Sequence, residues 1–147
     1  GALQFAAMPG PVSMLLPRFI ADQIEAASNT SVSILARSSS QIAELARAQS
    51  IDFGFADAPD DWSSETLYKA ELISACCFVA VPHDHALAKK DEVAIADLEA
   101  VPMGSLQATH AHQREIENLF QAQGHRYSRT VESQTFLPIL QFVGAGQ

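Results

Sequence analysis

A chain of 147 residues holds one ordinary domain or two small lobes. With 48% hydrophobic and 18% charged residues its composition suits a soluble globular protein and excludes a disordered one. No apolar run approaches the ~20 residues of a membrane span. The formal net charge of -8 repels phosphate backbones, so the chain by itself is expected not to hold DNA or RNA.

The chain opens on Gly1 rather than Met, with no basic-then-apolar leader, and reads as a piece of something longer. Leu3 to Met8 (LQFAAM) reads as a strand, which Pro9, Gly10 and Pro11 break. Leu16, Phe19, Ile20 and Ile24 then recur at helical spacing. Proline is tolerated only within the first turn, so Pro17 predicts that this helix begins near Val12 to Met14. Val32 to Ser38 is a second strand, Ile42 to Ala48 a short helix and Ile51 to Ala56 a third strand. Strand, helix, strand, helix, strand with short connections predicts two consecutive βαβ units on a parallel sheet.

The pattern changes after Asp57. A polar loop (DAPDDWSSE) leads into Thr66 to Val81, which reads as one or two strands with no helix between. Cys76 and Cys77 fall in this apolar run. They read as two buried small hydrophobes in a reducing compartment, because they lack the spacing of a Cys-x-x-Cys redox pair. Pro82 to Glu92 is turn-rich. AIADLEA predicts a helical turn before a short strand near Val101 to Met103. Ile116, Leu119 and Phe120 mark a helix that Gly124 stops as its C′ residue. Arg126 to Ser133 alternates as a strand, and Phe136, Leu137, Leu140 and Val143 make a last helix. The fold class is therefore α/β, with residues 1–81 as a first lobe and 82–147 as a second.

Ligands on such sheets bind beside helix N-termini at the carboxyl ends of the strands. Three loops of the first lobe meet there. The first carries Gly10 and Pro11, at a helix start whose free N–H groups favour a carboxylate, and Ser13, either a donor or a cap. The second carries Ser38, Ser39 and Ser40. Ser38 followed by Gln41 fits a capping box, which leaves Ser39 or Ser40 to face a ligand. The third carries Asp57, which either pairs with an ammonium or guanidinium or caps the turn DAPDD. A carboxylate site beside an Asp suggests an amino acid or a derivative of one. In the second lobe, Gly104 and Ser105, and Ser133, Gln134 and Thr135, are placed at a strand end and a helix start.

In order, LLPRFIADQ, SSSQIAELARAQSIDFGFAD, FVAVPHDHALA and LQFVGAGQ resemble the effector-binding domain of LysR-type transcriptional regulators over nearly the whole chain. Ala86 stands where that family's HPLA turn has proline. The resemblance implies a fold like the type 2 periplasmic binding proteins, two Rossmann-like lobes with an effector in the cleft between them. It implies an N-terminal winged helix-turn-helix and a C-terminal return completing the first lobe, neither of which this sequence includes. It assigns Ser39 to the effector; Ser40 and Gln41, beside it in the same loop, are counted with the candidate ligand-binding residues. It also implies a cytoplasmic homodimer or homotetramer, paired through Leu16 to Ala26 of one copy and Gln113 to Ala122 of another. VESQTFLPILQFVGAGQ with ACCFVAVP is most similar to the branch that senses basic amino acids and opines.

The alternative is a solute-binding protein of a transport system, which shares the fold. An enzyme is not expected, since no G-x-S-x-G, H-E-x-x-H or P-loop motif occurs. Nor is a cofactor or a metal. His110 and His112 are two apart at a predicted helix start, where they do not share a face, and His83 and His85 lie in a turn.

Overall fold

The computed structural model describes residues 1–24 and 29–147. It divides into two compact units, Gly1–Ala75 and Cys76–Gln147.

In the first unit, β1 (Ala2–Ala7), β2 (Ser31–Ala36) and β3 (Phe53–Phe55) form a parallel sheet in the order β2-β1-β3. The parallel βαβαβ reading of the sequence is what the unit contains. The chain steps from β1 to β2 and then back past β1 to β3. That reversal puts a topological switch point at the carboxyl ends of β1 and β3. Ala6 and Ala7 of the central strand are fully buried.

The first connection differs from the single helix predicted from Val12 to Met14. Two helices stand there, α1 (Pro9–Met14) and α2 (Leu16–Gln23). Pro9 opens α1, where its fixed φ suits the first turn and its missing N–H costs nothing. In one continuous helix, Pro17 would lack a donor and strike the carbonyl four residues back. The chain breaks instead at Leu15 (φ −110°, ψ −57°), and Pro17 falls in the first turn of α2. Ala26, assigned to the association surface, lies outside the described residues.

α3 (Ser39–Arg47) starts as the sequence predicts. Ser38 Oγ accepts the Gln41 N–H at 3.3 Å, and the Ser38 N–H donates to Gln41 Oε1 at 3.0 Å. Ile42, the buried residue of α3, lies over Gly54 of β3. A Cβ at Gly54 would sit 2.7 Å from Ile42 Cγ2, so glycine is what lets helix and strand approach. Beyond β3, the Glu65 carboxylate accepts N–H groups of Thr66 (2.9 Å) and Leu67 (3.0 Å) and pairs with Arg47 Nε (2.8 Å). The Leu67 N–H, then Arg47, hold this carboxyl below its usual range, against the opposing effect of desolvation.

Residues 66–81 form neither strand nor helix, against the one or two strands expected. A strand exists only when a neighbour takes its N–H and C=O groups, and among the described residues no strand pairs with this run. Its apolar side chains therefore face solvent; Ile73 is 70% and Phe78 91% exposed. Cys76 and Cys77, expected inside, are exposed for the same reason.

In the second unit, β4 (Pro102–Leu106) and β5 (Ser128–Ser133) pair in parallel, with a register shift between Met103 and Gly104. α4 (Ala111–Ala122) and α5 (Phe136–Gly144) complete it. α4 ends as Gly124 predicts. Gly124 takes φ +73°, its N–H bonds to Gln121 O (3.1 Å), and the His125 N–H reaches Phe120 O (2.9 Å), which together make a Schellman motif. Phe120 packs edge-on against Tyr127 with ring centroids 5.1 Å apart. In the turn before Ala86, His85 Nδ1 accepts the Leu87 N–H at 3.1 Å, capping a 3-10 turn over Ala86–Lys89. Among the described residues no helix is long and apolar enough to cross a membrane.

Gly54→Ala is expected to destabilise the first unit by about 1–3 kcal/mol through overpacking. Pairing it with Ile51→Val, which removes the Cδ1 methyl that would stand 3.3 Å from the new Cβ, should recover part of the loss. Urea denaturation of the two variants measures both effects.

Candidate functional site

The carboxyl edge of the first sheet is built by three strand ends that the ladder carries slightly further. Arg37 N–H bonds to Ala7 O (3.0 Å) beyond β2, and Met8 N–H to Phe55 O (3.2 Å) beyond β1. The loops after β1, β2 and β3 are thereby brought together. Ser39, half-buried, stands among them. Its hydroxyl accepts the Asp57 N–H at 3.0 Å and donates to Met8 Sδ at 3.1 Å. Sulfur is a weak acceptor, so the donor end of this hydroxyl is held loosely while its acceptor end is committed.

The other serines divide the remaining work. Ser38 caps α3, as expected. Ser40 is exposed, its hydroxyl 3.2 Å from that of Ser38. The capping box uses the N–H groups of Ser38 and Gln41, so those of Ser39 and Ser40 remain at the positive end of a nine-residue helix. Gln41, assigned to a ligand, instead spends its side-chain oxygen on the cap. Asp57 is exposed, and among the described residues its carboxylate accepts no hydrogen bond. The alternative in which it caps the turn DAPDD has no bond to support it.

The first loop offers less than its sequence suggests. Gly10 and Pro11 lie inside α1, not ahead of it. Pro9 and Pro11 have no N–H, and the Val12 N–H is bonded to Met8 O at 3.0 Å. Of these four residues only Gly10 has a donor to present. Ser13 sits within α1 and caps nothing; it is exposed.

In the second unit, Gly104 and Ser105 are interior positions of β4, not its end. A Cβ at Gly104 would lie 2.5 Å from Ile139 Cγ2, so this glycine admits α5. Ser105 is 1% exposed, its hydroxyl 2.6 Å from Tyr127 Oη; both are spent inside the unit. The carboxyl end of β4 is Leu106, with Gln107 N–H continuing the ladder to Ser133 O at 3.2 Å. Ser133 closes β5 and accepts the Thr135 N–H at 3.3 Å. Thr135 precedes α5 without a side-chain cap bond, and Gln134 is exposed.

Three contributors were not singled out from the sequence. Met8 takes the Ser39 hydroxyl. Gln113, 3% exposed, accepts the Leu106 N–H (3.2 Å) and donates to Glu117 Oε1 (2.9 Å); Glu117 in turn holds Arg129 of β5. Arg114 Nη1 grips Ala108 O (3.1 Å) and Thr109 O (2.9 Å), shaping the loop after β4. Polar residues on a helix otherwise read as a solvated face, so no local pattern marks them.

A family model described as "LysR substrate binding domain" matches residues 1–147. The octopine catabolism/uptake operon regulatory protein OccR of Rhizobium meliloti is 34% identical over 93 residues, 63% of this chain and 30% of that protein. HinK, a LysR family transcriptional regulator from Pseudomonas aeruginosa, superposes with a TM-score of 0.68 at 17% identity, over 99% of this chain and 50% of that one. The effector-binding domain of QuiR in complex with shikimate gives 0.67 at 13% identity, over 99% and 70%. The chain thus spans about a third to a half of the full regulators it matches.

Neither Ser39 nor Asp57 belongs to the apolar core, so from sequence neither substitution should alter stability. For Ser39 the structure says otherwise. Ser39→Ala leaves the Asp57 N–H without its acceptor and is expected to cost about 0.5–1.5 kcal/mol of stability, while Asp57→Asn costs little. Chemical denaturation of both variants separates them.

Proposed function

The chain belongs to the LysR substrate-binding domain family, and we propose that it is the effector-sensing part of a LysR-type transcriptional regulator. A small molecule bound at the carboxyl edge of the first unit then controls DNA binding by a winged helix-turn-helix elsewhere in the full cytoplasmic protein. The role is binding, not turnover. The supporting observation is that edge itself: two helix N–H groups and the Ser40 hydroxyl in one loop, and in the loop that Ser39 ties to it the Asp57 carboxylate, which has no hydrogen-bond partner among the described residues. The donors suit a carboxylate group, and Asp57 suits an ammonium or guanidinium. An amino acid or opine-like derivative carries both, and the similarity to an octopine regulator points the same way. In the second unit, Ser133, Gln134 and Thr135 are the corresponding edge residues, joined by Gln107; Gly104 and Ser105 are not included.

The proposal includes a homodimer. Met14 (67% exposed), Leu15 (49%) and Phe19 (57%) leave an apolar face along α1 and α2, and Leu119 (51%) does so on α4. Such faces mark association surfaces.

Calorimetry with octopine on the full regulator tests the site. Asp57→Asn should weaken octopine by up to about a hundredfold, corresponding to ~3 kcal/mol for a lost charged hydrogen bond. Shikimate, a carboxylic acid without an amine, should show no such sensitivity. Unchanged octopine affinity in Asp57→Asn would remove the amine-binding role.

Light scattering tests the pairing. The full regulator should run as a dimer or tetramer, and Phe19→Glu should shift it toward smaller species. An unchanged mass with a native circular dichroism spectrum would move the interface off α2.

A further inference from the structure

The loop that carries Asp57 is anchored to α3 twice. Ser39, the first residue of that helix, takes the Asp57 N–H at 3.0 Å, and Arg47, its last, pairs through Nε with Glu65 Oε2 at 2.8 Å. At ~1.5 Å per helical residue the two anchors stand ~12 Å apart. The chain from Asp57 to Glu65 could reach roughly twice that distance if extended, so turns must take up the slack. The Trp62 N–H bonds to Pro59 O at 3.1 Å, and the Ser64 N–H and hydroxyl both bond to Asp61 O, at 2.9 and 2.8 Å. Between the Ser39 bond and the first of these turns lies Ala58 alone. It precedes Pro59, which confines it to extended backbone. Glu65 divides its two oxygens: Oε1 accepts the Thr66 and Leu67 N–H groups, and Oε2 meets Arg47. Among the described residues that ion pair is the one polar bond joining residues 58–67 to α3. All of these bonds are made within residues 39–67 of the first unit.

We propose that Arg47 and Glu65 are positioning residues for the Asp57 carboxylate: their ion pair tethers the end of the loop to the last turn of α3 and so tunes the edge for amine-bearing effectors. The proposal rests on the amine-binding role of Asp57. The Ser39 bond fixes the peptide before Asp57. The peptide after it is fixed only through Ala58, Pro59 and the turns, which Arg47 holds to the helix. With both planar peptides held, the two backbone dihedrals of Asp57 are set, and its side chain leaves the backbone in one direction. The N–H groups of Ser39 and Ser40 belong to α3 itself and do not need the tether. Loss of the ion pair therefore weakens recognition of the cationic group and spares that of the carboxylate.

The test uses the full regulator, with Glu65→Gln as the leading variant. Glutamine keeps an oxygen for the Thr66 and Leu67 N–H groups and removes the charge that Arg47 meets. Hydrogen exchange read by mass spectrometry should show residues 58–67 exchanging faster in this variant, with β1 and β2 unchanged. Calorimetry should show octopine bound roughly fivefold more weakly, the scale of one partly exposed ion pair. Arg47→Met should match Glu65→Gln, and Arg47→Lys, which keeps the cation, should stay near the wild type. In an Asp57→Asn background Glu65→Gln should have no further effect, whereas a merely structural role would weaken binding in both backgrounds. Unchanged exchange over residues 58–67 would overturn the tether whatever binds. Unchanged octopine affinity in Glu65→Gln, with a wild type that binds octopine, would overturn the positioning role and leave Asp57 its amine. A wild type that does not bind octopine would remove the amine-binding role and this proposal with it. If Arg47→Met loses its native circular dichroism, Glu65→Gln and Arg47→Lys decide.

Discussion

One hydroxyl holds the carboxyl edge of the first sheet together. Ser39 Oγ bonds to the backbone after β3 and to the side chain after β1, while its own residue opens α3 after β2. Each loop alone would be free to drift, because loops carry few internal hydrogen bonds. Joined through Ser39, they share one geometry. The position of the Asp57 backbone is thus set by a residue eighteen positions earlier in the chain, and the carboxylate is presented from a fixed base rather than from a mobile tip. That arrangement in turn requires α3 to sit close to the sheet, and Gly54 beneath Ile42 permits the approach.

What the sequence discloses follows the range of the interaction. The capping box at Ser38 and Gln41 and the stop at Gly124 are made by residues within one helical turn or so, and both are readable as written. The split of the first helix is local too, but two prolines compete there. Pro17 allows a helix starting at Val12; Pro9 adds a separate turn before it, so both are honoured by breaking at Leu15. The contacts of Gly54 with Ile42 and of Gly104 with Ile139 join different elements. A glycine in a strand advertises a close approach without naming what approaches, and Gly104 was assigned to a ligand for want of that partner.

Thr66 to Val81 shows the same limit from the other side. Its β-branched and aromatic residues satisfy a strand's composition, but composition measures fitness for a pleated, half-buried surface. Among the described residues the run has no paired neighbour, and it is irregular with Ile73 and Phe78 exposed. Burial of Cys76 and Cys77 was inferred from the run, and it failed with the run. The second unit repeats the point at finer scale. Its edge was placed a few residues early because β4 extends to Leu106, and its buried polar atoms at Ser105 and Gln113 are satisfied by partners that only the folded unit supplies.

Three consecutive serines at a strand-to-helix junction now have separate physical roles. An N-cap needs a hydroxyl at Ser38, since the helix leaves its first donors unpaired. A residue one step on lies at the first helical position, turned toward the neighbouring strand ends, and there Ser39 serves as the latch. Ser40, another step on, is exposed; among the described residues its hydroxyl has only Ser38 as a partner. It is the one of the three whose bonding can change without undoing a loop or a helix start. On the proposed reading, the hydroxyl open to a ligand is the one least needed by the fold, whereas the fold depends on Ser39. Its bond to Met8 Sδ is the weak one, while its bond from the Asp57 N–H ties the loop after β3 to the start of α3.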